Sequence, residues 1–161
     1  MIVVADTSPL NYLIQIECDY LLPRLYQRIL VPPAVLEELG RTGAPAPVRA
    51  WVAEKPEWVD TRPLRSPPDE TLGRLDRGER EAIQLAEEQK AEVLLIDERK
   101  GRLTAERRGL TTTGTLGVLL SAGARGWINA EQTYRRLLRE TTFRTSAALE
   151  TQFLGQIRPA F

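Results

Sequence analysis

The stretch IVVADTSP, residues 2–9, decides the fold of this chain of 161 residues. Its first half, residues 2–5, is an apolar, mostly β-branched run without polar alternation, which is typical of a strand covered on both faces. Asp6 follows directly at the predicted end of that strand. Ser8 and Pro9 then predict the start of a helix, with serine as the N-cap and proline at the first helical position. The chain therefore opens with a buried strand, an acidic residue and a helix.

The same alternation of strand and helix continues along the chain. Later predicted strands are 29–31, about 58–61, 93–97 and about 110–113. Predicted helices are 9–16, 20–26, 33–39, about 47–54, 77–89, 99–108, one from about 116, 130–140 and 146–157. Neighbouring parallel strands need crossover connections, so this order predicts a three-layer α/β/α sandwich around a mostly parallel five-stranded sheet. Such sheets bind ligands beyond the carboxyl ends of their strands, where the strand order reverses.

Length and hydrophobic content predict one domain over residues 1–161. The apolar run at the start is interrupted by Asp6, which makes it too short for a signal peptide or a membrane span. We therefore expect a soluble, cytoplasmic protein without a membrane partner.

Composition restricts the chemistry that this chain can perform. Basic and acidic residues balance at 22 each, so nucleic-acid contacts require local basic patches. The chain contains no histidine, which excludes a Ser-His-Asp triad and any zinc site that needs histidine. Its single cysteine, Cys18, excludes an intramolecular disulfide. Carboxylates, hydroxyls, basic side chains and a hard metal ion bound by oxygen remain.

Two acidic residues follow predicted strands at their carboxyl ends, namely Asp6 and Asp97. If these two strands flank the point where the strand order reverses, both carboxylates face one crevice. Each residue also has a purely structural alternative. Asp6 suits a turn, and Asp97 suits the N-cap of the helix that starts near Arg99.

Two glutamates are further candidates, and each competes with a neighbour or an alternative role. Asp76 and Glu79 have the spacing of a capping box, in which the glutamate bonds back to the N-cap amide. Glu81 is the neighbouring alternative, but it points about 200° away around the helix axis. On the helix after Pro33, Glu37 and Glu38 compete in the same way, and spacing alone leaves that choice open.

Five motifs together resemble the PIN-domain superfamily. They are VVADTSPL (3–10), VPPAVLEEL (31–39), LDRGEREAIQLA (75–86), LLIDERKGR (94–102) and TTTGTLGVLL (111–120). The resemblance covers roughly residues 2–125, which implies a core of about 2–125 and a helical C-terminal extension of about 126–161. It is strongest to a prokaryotic branch related to the toxin ribonucleases of toxin-antitoxin systems. It implies the strand order 3-2-1-4-5 and a metal-dependent endoribonuclease.

By the same resemblance, four acids form the catalytic cluster: Asp6, Glu38, Glu79 and Asp97. The family commonly has aspartate where this chain has Glu79, and one extra methylene displaces the carboxylate by about 1.5 Å. We expect Asp6 and Asp97 to bind the principal Mg²⁺ or Mn²⁺ ion, with Glu79 and Glu38 completing its shell or holding a second ion. The predicted metal ligands are thus Asp6, Asp97 and Glu79. The metal would activate a water molecule for phosphodiester hydrolysis.

Substrate-binding residues are expected close to this cluster. The candidates are Ser8, Thr115, Arg99 and Lys100, whose hydroxyl and basic groups suit phosphate oxygens. For Ser8 and Thr115, the alternatives are to support the metal-binding acids or to cap a helix. Three tryptophans, Trp51, Trp58 and Trp127, are the aromatic candidates for base stacking, although packing in the core is the alternative for each.

The expected partners are an RNA substrate, a second copy of the chain and, for a toxin, a cognate antitoxin. One alternative is a catalytically weak PIN-fold module that binds nucleic acid or regulates a protein partner, since the C-terminal helices can cover the core, a symmetric mate or an antitoxin peptide. Phosphoacceptor receivers and haloacid-dehalogenase-like phosphatases are disfavoured. The first need a lysine where this chain has TTTGT, and the second need an aspartate at the position of Ser8.

Overall fold

A five-stranded parallel sheet forms the centre of the computed structural model, which describes residues 1–157. Its strands are β1 (Val3–Ala5), β2 (Ile29–Val31), β3 (Val59–Thr61), β4 (Val93–Leu95) and β5 (Thr112–Thr113). They are ordered β3-β2-β1-β4-β5, and all four strand pairs are parallel. The predicted α/β/α class and the strand order 3-2-1-4-5 are thus confirmed.

Helices connect the strands and continue beyond the sheet. They are α1 (Thr7–Gln15), α2 (Leu21–Tyr26), α3 (Pro33–Leu39), α4 (Ala46–Ala53), α5 (Arg77–Glu88), α6 (Arg99–Arg107), α7 (Thr115–Ala124), α8 (Ala130–Glu140) and α9 (Ala147–Ile157). A short 3₁₀ turn, Glu70–Leu72, precedes α5. These bounds agree closely with the predicted ones, because the apolar periodicity and the prolines and glycines that mark the ends are local signals.

The central strand β1 is covered on both faces, as its unbroken apolar sequence predicts. Val3 and Ala5 face an apolar layer that includes residues of α1 and α7. Val4 faces the opposite layer, which includes residues of α5. Alternate residues of a strand point to opposite faces. Because both faces of β1 are covered, all three side chains are fully buried. This rigid strand positions the residue that follows it, Asp6.

The predicted start of α1 is wrong in one respect. Thr7, not Pro9, is the first helical residue, and Asp6 rather than Ser8 occupies the N-cap position, with an extended backbone. Pro9 is tolerated because the first N–H groups of a helix lack intrahelical partners. The Asp6 side chain makes no capping hydrogen bond. Its carboxylate is therefore available for another role.

The C-terminal helices pack onto the sheet domain through α7. Both α8 and α9 contact α7, and the Tyr134 hydroxyl on α8 donates a hydrogen bond to Glu150 on α9 over 2.7 Å. The predicted boundary near residue 125 stays a prediction, and the last part of the predicted extension, 158–161, lies outside the described residues. Among residues 1–157, no helix has the length and apolar character to cross a membrane.

Candidate active site at the carboxyl edge of the sheet

Two acidic residues leave neighbouring strands at the same edge of the sheet. Strands β1 and β4 are parallel, with Ala5 opposite Leu95. The backbone N–H of Asp6 continues this ladder by donating to the Leu95 carbonyl over 2.9 Å. Asp97 lies just beyond β4. The order of the strands reverses between β1 and β4, so both carboxylates occupy the expected ligand-binding edge.

Asp97 is held in place by the first residue of α7. The Thr115 backbone N–H donates to one carboxylate oxygen of Asp97, and the Thr115 hydroxyl donates to the other, each over 2.7 Å. Burial raises the pKa of Asp97, while these two hydrogen bonds and the nearby Arg102 guanidinium act in the opposite direction. The alternative role as N-cap of α6 is wrong, because Glu98 occupies that position.

Thr115 itself is completely buried. Its hydroxyl supports Asp97, which is one of the roles that its sequence position suggests, and its contact with a substrate phosphate stays a prediction.

Asp6 is buried and incompletely bonded. Its side chain is only 3% exposed, and its Oδ1 atom has no hydrogen-bond partner within residues 1–157. Burial, together with the negative charges of Asp76, Glu38 and Asp97, raises the pKa of Asp6 to about 7, although a backbone hydrogen bond from Thr7 acts in the opposite direction. A buried oxygen without a partner costs about 1–3 kcal/mol, so its persistence calls for a ligand.

Glu79 has the same character on the helix that crosses this edge. It is 7% exposed, and its Oε2 atom also has no partner in the described part of the chain. Burial raises the pKa of Glu79 to about 9, assisted by a hydrogen bond with Asp76 and by the charges of Asp76 and Asp6. Asp76 caps α5 by accepting from the Glu79 N–H over 2.8 Å. In a capping box, the Glu79 carboxylate would also accept a hydrogen bond from the Asp76 N–H. This bond is not among the hydrogen bonds of residues 1–157, so a capping box does not explain Glu79.

Glu38, rather than Glu37, points to the carboxyl edge. Glu38 accepts a hydrogen bond from the Thr7 hydroxyl over 2.5 Å and from the Gly78 backbone N–H over 3.0 Å. Glu37 is exposed and pairs with Arg77 over 2.7 Å. Glu38 thereby joins α3 to the N-termini of α1 and α5, and it already uses both carboxylate oxygens.

Three glycines make room for the carboxylates. A Cβ atom built on Gly78 would lie 2.6 Å from Glu38 Oε2, on Gly101 2.5 Å from Glu79 Oε2, and on Gly114 2.6 Å from Asp97 Oδ1. Real Cβ atoms do not approach oxygen this closely. The sequence motifs RGE, KGR and TGT contain these glycines, so the signal was present, but the closeness of the acids to them depends on the fold.

The carboxylates at this edge meet the requirements of a divalent-cation site only in part. Among residues 1–157, no group of three or more acidic side chains is arranged so that it could hold a metal ion. However, Mg²⁺ is usually bound through one or two carboxylates, with water and phosphate oxygens as its other ligands. The unpartnered oxygens of Asp6 and Glu79 offer this minimum. A cation between these residues would also relieve the repulsion that raises the pKa of each carboxyl.

Sequence reasoning missed two acids that belong to this environment. Asp76 contributes to the raised pKa of both Asp6 and Glu79, although its sequence position predicts only a capping role. Glu98 contributes to the raised pKa of Glu79 and of Asp97. Both residues are exposed and adjacent in sequence to predicted features, but only the fold shows that their charges reach the buried acids.

The predicted substrate-binding residues separate into two groups. Ser8 and Arg99 line a groove that begins at Asp97. Lys100 is exposed but is not among the residues that line this groove.

The predicted aromatic candidates lie elsewhere. Trp51 and Trp58 pack against each other with ring centroids 6.0 Å apart, and the Arg24 guanidinium lies 4.0 Å from the Trp127 ring. All three tryptophans are half-buried and pack against the main core.

A parallel sheet ordered 3-2-1-4-5, with acidic residues gathered at its carboxyl edge, defines a PIN-type α/β domain. Comparison with known families gives the same result, because residues 2–158 match the PIN domain family DUF3368. The chain belongs to this family, and the predicted resemblance is confirmed.

Among solved structures, the chain is similar to a PilT N-terminus domain protein from the hyperthermophilic archaeon Sulfolobus solfataricus P2. The two share 15% identity over 90% of this chain and 100% of that one, with a TM-score of 0.49. No protein of curated function matches this chain.

Proposed function

We propose that this chain is a Mg²⁺- or Mn²⁺-dependent endoribonuclease that hydrolyses phosphodiester bonds of RNA. PIN domains are generally nucleases that use divalent metal ions. One observation carries the proposal. Two buried carboxylate oxygens, Asp6 Oδ1 and Glu79 Oε2, lack any partner within residues 1–157 and lie at the edge of the sheet where ligands bind.

The chain's own residues would divide the work in a simple way. Asp6 and Glu79 would hold the cation through their unpartnered oxygens, together with water and phosphate oxygens. When bound, the cation lowers the pKa of a coordinated water molecule and stabilises charge on the phosphorus. Asp97, whose two oxygens accept from Thr115, stays a predicted ligand. Thr115 fixes the rotamer of Asp97 through two hydrogen bonds. Glu38 holds α1 and α5 together, so that Asp6 and Glu79 remain close. Burial of Asp6 and Glu79 keeps bulk water from competing for these oxygens.

A second candidate function is a catalytically weak nucleic-acid-binding or regulatory module that acts through a protein partner. It is favoured by the lack of a three-carboxylate metal group in the described residues and by the structural use of both Glu38 oxygens. The toxin role, the cognate antitoxin, the homodimer and the cytoplasmic location stay predictions.

Cleavage of labelled RNAs of varied sequence, with Mg²⁺, Mn²⁺ or EDTA, tests the proposal. We expect metal-dependent cleavage by the wild type and a loss on the order of 100-fold or more in Asp6→Asn, which removes a charged metal ligand while keeping its shape. Asp69→Asn is the matched control, because Asp69 is an acid with an arginine partner far from this edge. Wild-type protein without metal-dependent cleavage, or an Asp6→Asn variant that cleaves normally, contradicts the proposal.

A further inference from the structure

Arg102 is a half-buried cation at the carboxyl edge of the sheet. It lies near the start of α6 and lines a groove of about 700 Å³ together with Asp97 and Glu98. The C-terminal segment 142–146 also lines this groove. The Arg102 side chain makes no hydrogen bond or ion pair within residues 1–157. A positive charge without a protein partner thus lies next to the candidate active site.

Other half-buried arginines show what protein partners usually do for such a side chain. Arg108 and Arg136 each pair with two acidic residues. Arg80 is half-buried and has no side-chain partner in the described residues, but it does not line the groove. A guanidinium has five N–H donors, and any donor turned away from water needs an acceptor. Arg102 therefore combines free donors with a position beside the acidic residues.

Gly114 shows how close Arg102 comes to Asp97. A Cβ atom built on Gly114 would lie 2.6 Å from Asp97 Oδ1 and 3.7 Å from Arg102 Nη1. These two atoms are therefore no farther apart than the sum of the two distances. They form no ion pair, and both oxygens of Asp97 accept hydrogen bonds from Thr115 instead. The Arg102 guanidinium thus reaches the crevice of Asp97 while its donors stay available to a ligand.

Negative charge dominates this edge of the sheet. Burial is the main cause of the raised pKa of Asp6 and Glu79, and the charges of neighbouring acids add to it. For Asp97, burial raises the pKa and the charge of Arg102 acts to lower it. A phosphate group that enters here is repelled by the carboxylates, and one divalent cation offsets only part of their charge. A guanidinium beside Asp97 supplies further positive charge where the proposed reaction places the phosphate.

The neighbouring basic residues of α6 are less restrained than Arg102. Arg99 and Lys100 are exposed, and Lys100 does not line the groove. An exposed side chain loses more conformational entropy on binding a ligand than one that packing already restrains. Arg102 is therefore the best placed of the three for a precise contact with a reacting group.

We propose that Arg102 is a catalytic residue of the nuclease, whose guanidinium donates to a non-bridging oxygen of the scissile phosphate. The inference rests on the proposed function and adds a cationic residue to its acids. In the hydrolysis, the oxygen of a water molecule bonds to phosphorus and the bond from phosphorus to a ribose oxygen breaks. The water loses a proton and the leaving oxygen gains one. Arg102 transfers no proton, because a guanidinium stays charged. It stabilises negative charge that grows on the phosphoryl oxygens in the transition state.

Single-turnover cleavage of a labelled RNA with Mn²⁺ tests the inference. Arg102→Ala should lower the rate constant on the order of 100-fold, because a donor to the transition state is lost. The Kd for the same RNA in EDTA should rise less than about threefold, since the contact is stronger in the transition state than in the ground state. Arg102→Lys keeps the charge without the planar fork and should be about tenfold slower than the wild type.

Two further measurements complete the cleavage experiment. Guanidinium chloride at millimolar concentration should restore part of the activity of Arg102→Ala, and methylammonium chloride should restore less, because only guanidinium reproduces the lost group. Arg107→Ala is the matched control, because Arg107 is an exposed arginine on the same helix that does not line the groove. It should cleave like the wild type.

A purely structural role for Arg102 predicts a different pattern. If Arg102 only supported Asp97 or α6, Arg102→Ala would lower the thermal unfolding midpoint and weaken Mn²⁺ binding, and added guanidinium would not restore cleavage. As a phosphate contact, Arg102 should be dispensable for both. Electron paramagnetic resonance of the RNA-free variant should show Mn²⁺ bound as tightly as in the wild type or more tightly, because a positive charge near the acids is removed.

Two results would overturn this inference in a wild type that cleaves RNA. They are equal rates for Arg102→Ala and Arg107→Ala, or a slow Arg102→Ala variant that has lost Mn²⁺ binding and is not restored by guanidinium. Failure of the nuclease function is a separate outcome. If the wild type cleaves no RNA, binding of inorganic phosphate with Mg²⁺ is compared by ³¹P NMR. Weaker binding in Arg102→Ala than in Arg107→Ala then supports the phosphate contact without the nuclease, and equal binding removes both.

Discussion

Two of the glutamates on helix α5, Glu79 and Glu87, have opposite environments. Glu79, near its N-terminus, is buried at the carboxyl edge with an unpartnered oxygen. Glu87, near its C-terminus, is only partly buried and accepts hydrogen bonds from Arg108 over 2.8 and 3.1 Å. Arg108 also binds Asp69 over 2.6 Å. We call these three residues, Arg108, Asp69 and Glu87, the Arg108 cluster. It joins the loop before α5 to the end of α6.

The two regions differ in how they treat negative charge. In the Arg108 cluster, hydrogen bonds from Thr71 and Arg108 lower the pKa of Asp69 to about 2. At the carboxyl edge, burial raises the pKa of Glu79 to about 9 and that of Asp6 to about 7. In the Arg108 cluster, protein groups stabilise the carboxylates. At the carboxyl edge, Asp6 and Glu79 each keep one oxygen without a partner in the described residues. Acids with a protein partner thus indicate a structural role, and buried acids without one indicate a ligand site.

The largest expected effect is a gain in stability when the Glu79 charge is removed. A carboxyl whose pKa is raised binds its proton more tightly in the folded state, so folding becomes less favourable as pH rises from about 4.5 towards 9. Glu79→Gln should therefore increase the free energy of unfolding at pH 7 by on the order of 2–3 kcal/mol. Urea denaturation of the metal-free protein at pH 5 and pH 8 measures it, and the gain should be larger at pH 8.

Glu87→Gln is the matched variant for this comparison. It weakens bonds that Arg108 makes and should lower stability by about 1 kcal/mol, a small value because the pair is partly exposed. If Glu79→Gln destabilises the protein as much as Glu87→Gln does, then Glu79 has a structural partner and the contrast between the two regions is lost.

A smaller effect of the opposite sign is expected when the cation of the Arg108 cluster is removed. Arg108→Ala leaves Asp69 and Glu87 as neighbouring negative charges and should lower stability by about 1–2 kcal/mol, discounted because all three side chains are partly exposed. RNA cleavage should be unchanged, because the cluster lies away from the carboxyl edge. Thermal unfolding and the cleavage assay together measure this. A loss of activity without a loss of stability would show that the two regions are coupled.

The sequence predicted those parts of the site that follow from chain position. Asp6 and Asp97 come directly after apolar runs, and in a parallel sheet the ends of such strands share one edge. The strand order and the choice of Glu38 over Glu37 depended on the resemblance to the PIN superfamily, since spacing alone treats two adjacent glutamates equally. Local capping signals placed α5 correctly through Asp76.

What the sequence could not show depends on contacts between distant residues. Whether Glu79 lacks a partner is decided by everything packed around it, and no local pattern records that. The groove is similar, because its lining combines Tyr12 and Arg99 with Phe143 and Arg144, which are distant from them in the sequence. Lys100 belongs to the same basic run as Arg99 but does not line the groove, so its contact with substrate stays a prediction.

The smallest effect, and the sharpest test of the carboxyl edge, comes from Gly101→Ala. Alanine is favoured over glycine in a helix by about 1 kcal/mol, but its Cβ would meet Glu79 Oε2 at 2.5 Å and Ile96 Cδ1 at 2.8 Å. These opposing terms should leave stability within about 1 kcal/mol of the wild type. The displaced Glu79 carboxylate should nevertheless lower cleavage about tenfold and weaken Mn²⁺ dependence.

Gly155→Ala on α9 is the control for Gly101→Ala, because nothing lies within 4 Å of its built Cβ. It should show only the increase in stability that comes from the higher helix propensity of alanine, and it should cleave RNA normally. Equal activity of the two variants would mean that the position of the Glu79 carboxylate does not matter for the reaction. In that case Asp6 and Asp97 would have to act without Glu79, and the buried charge on α5 would have no functional explanation.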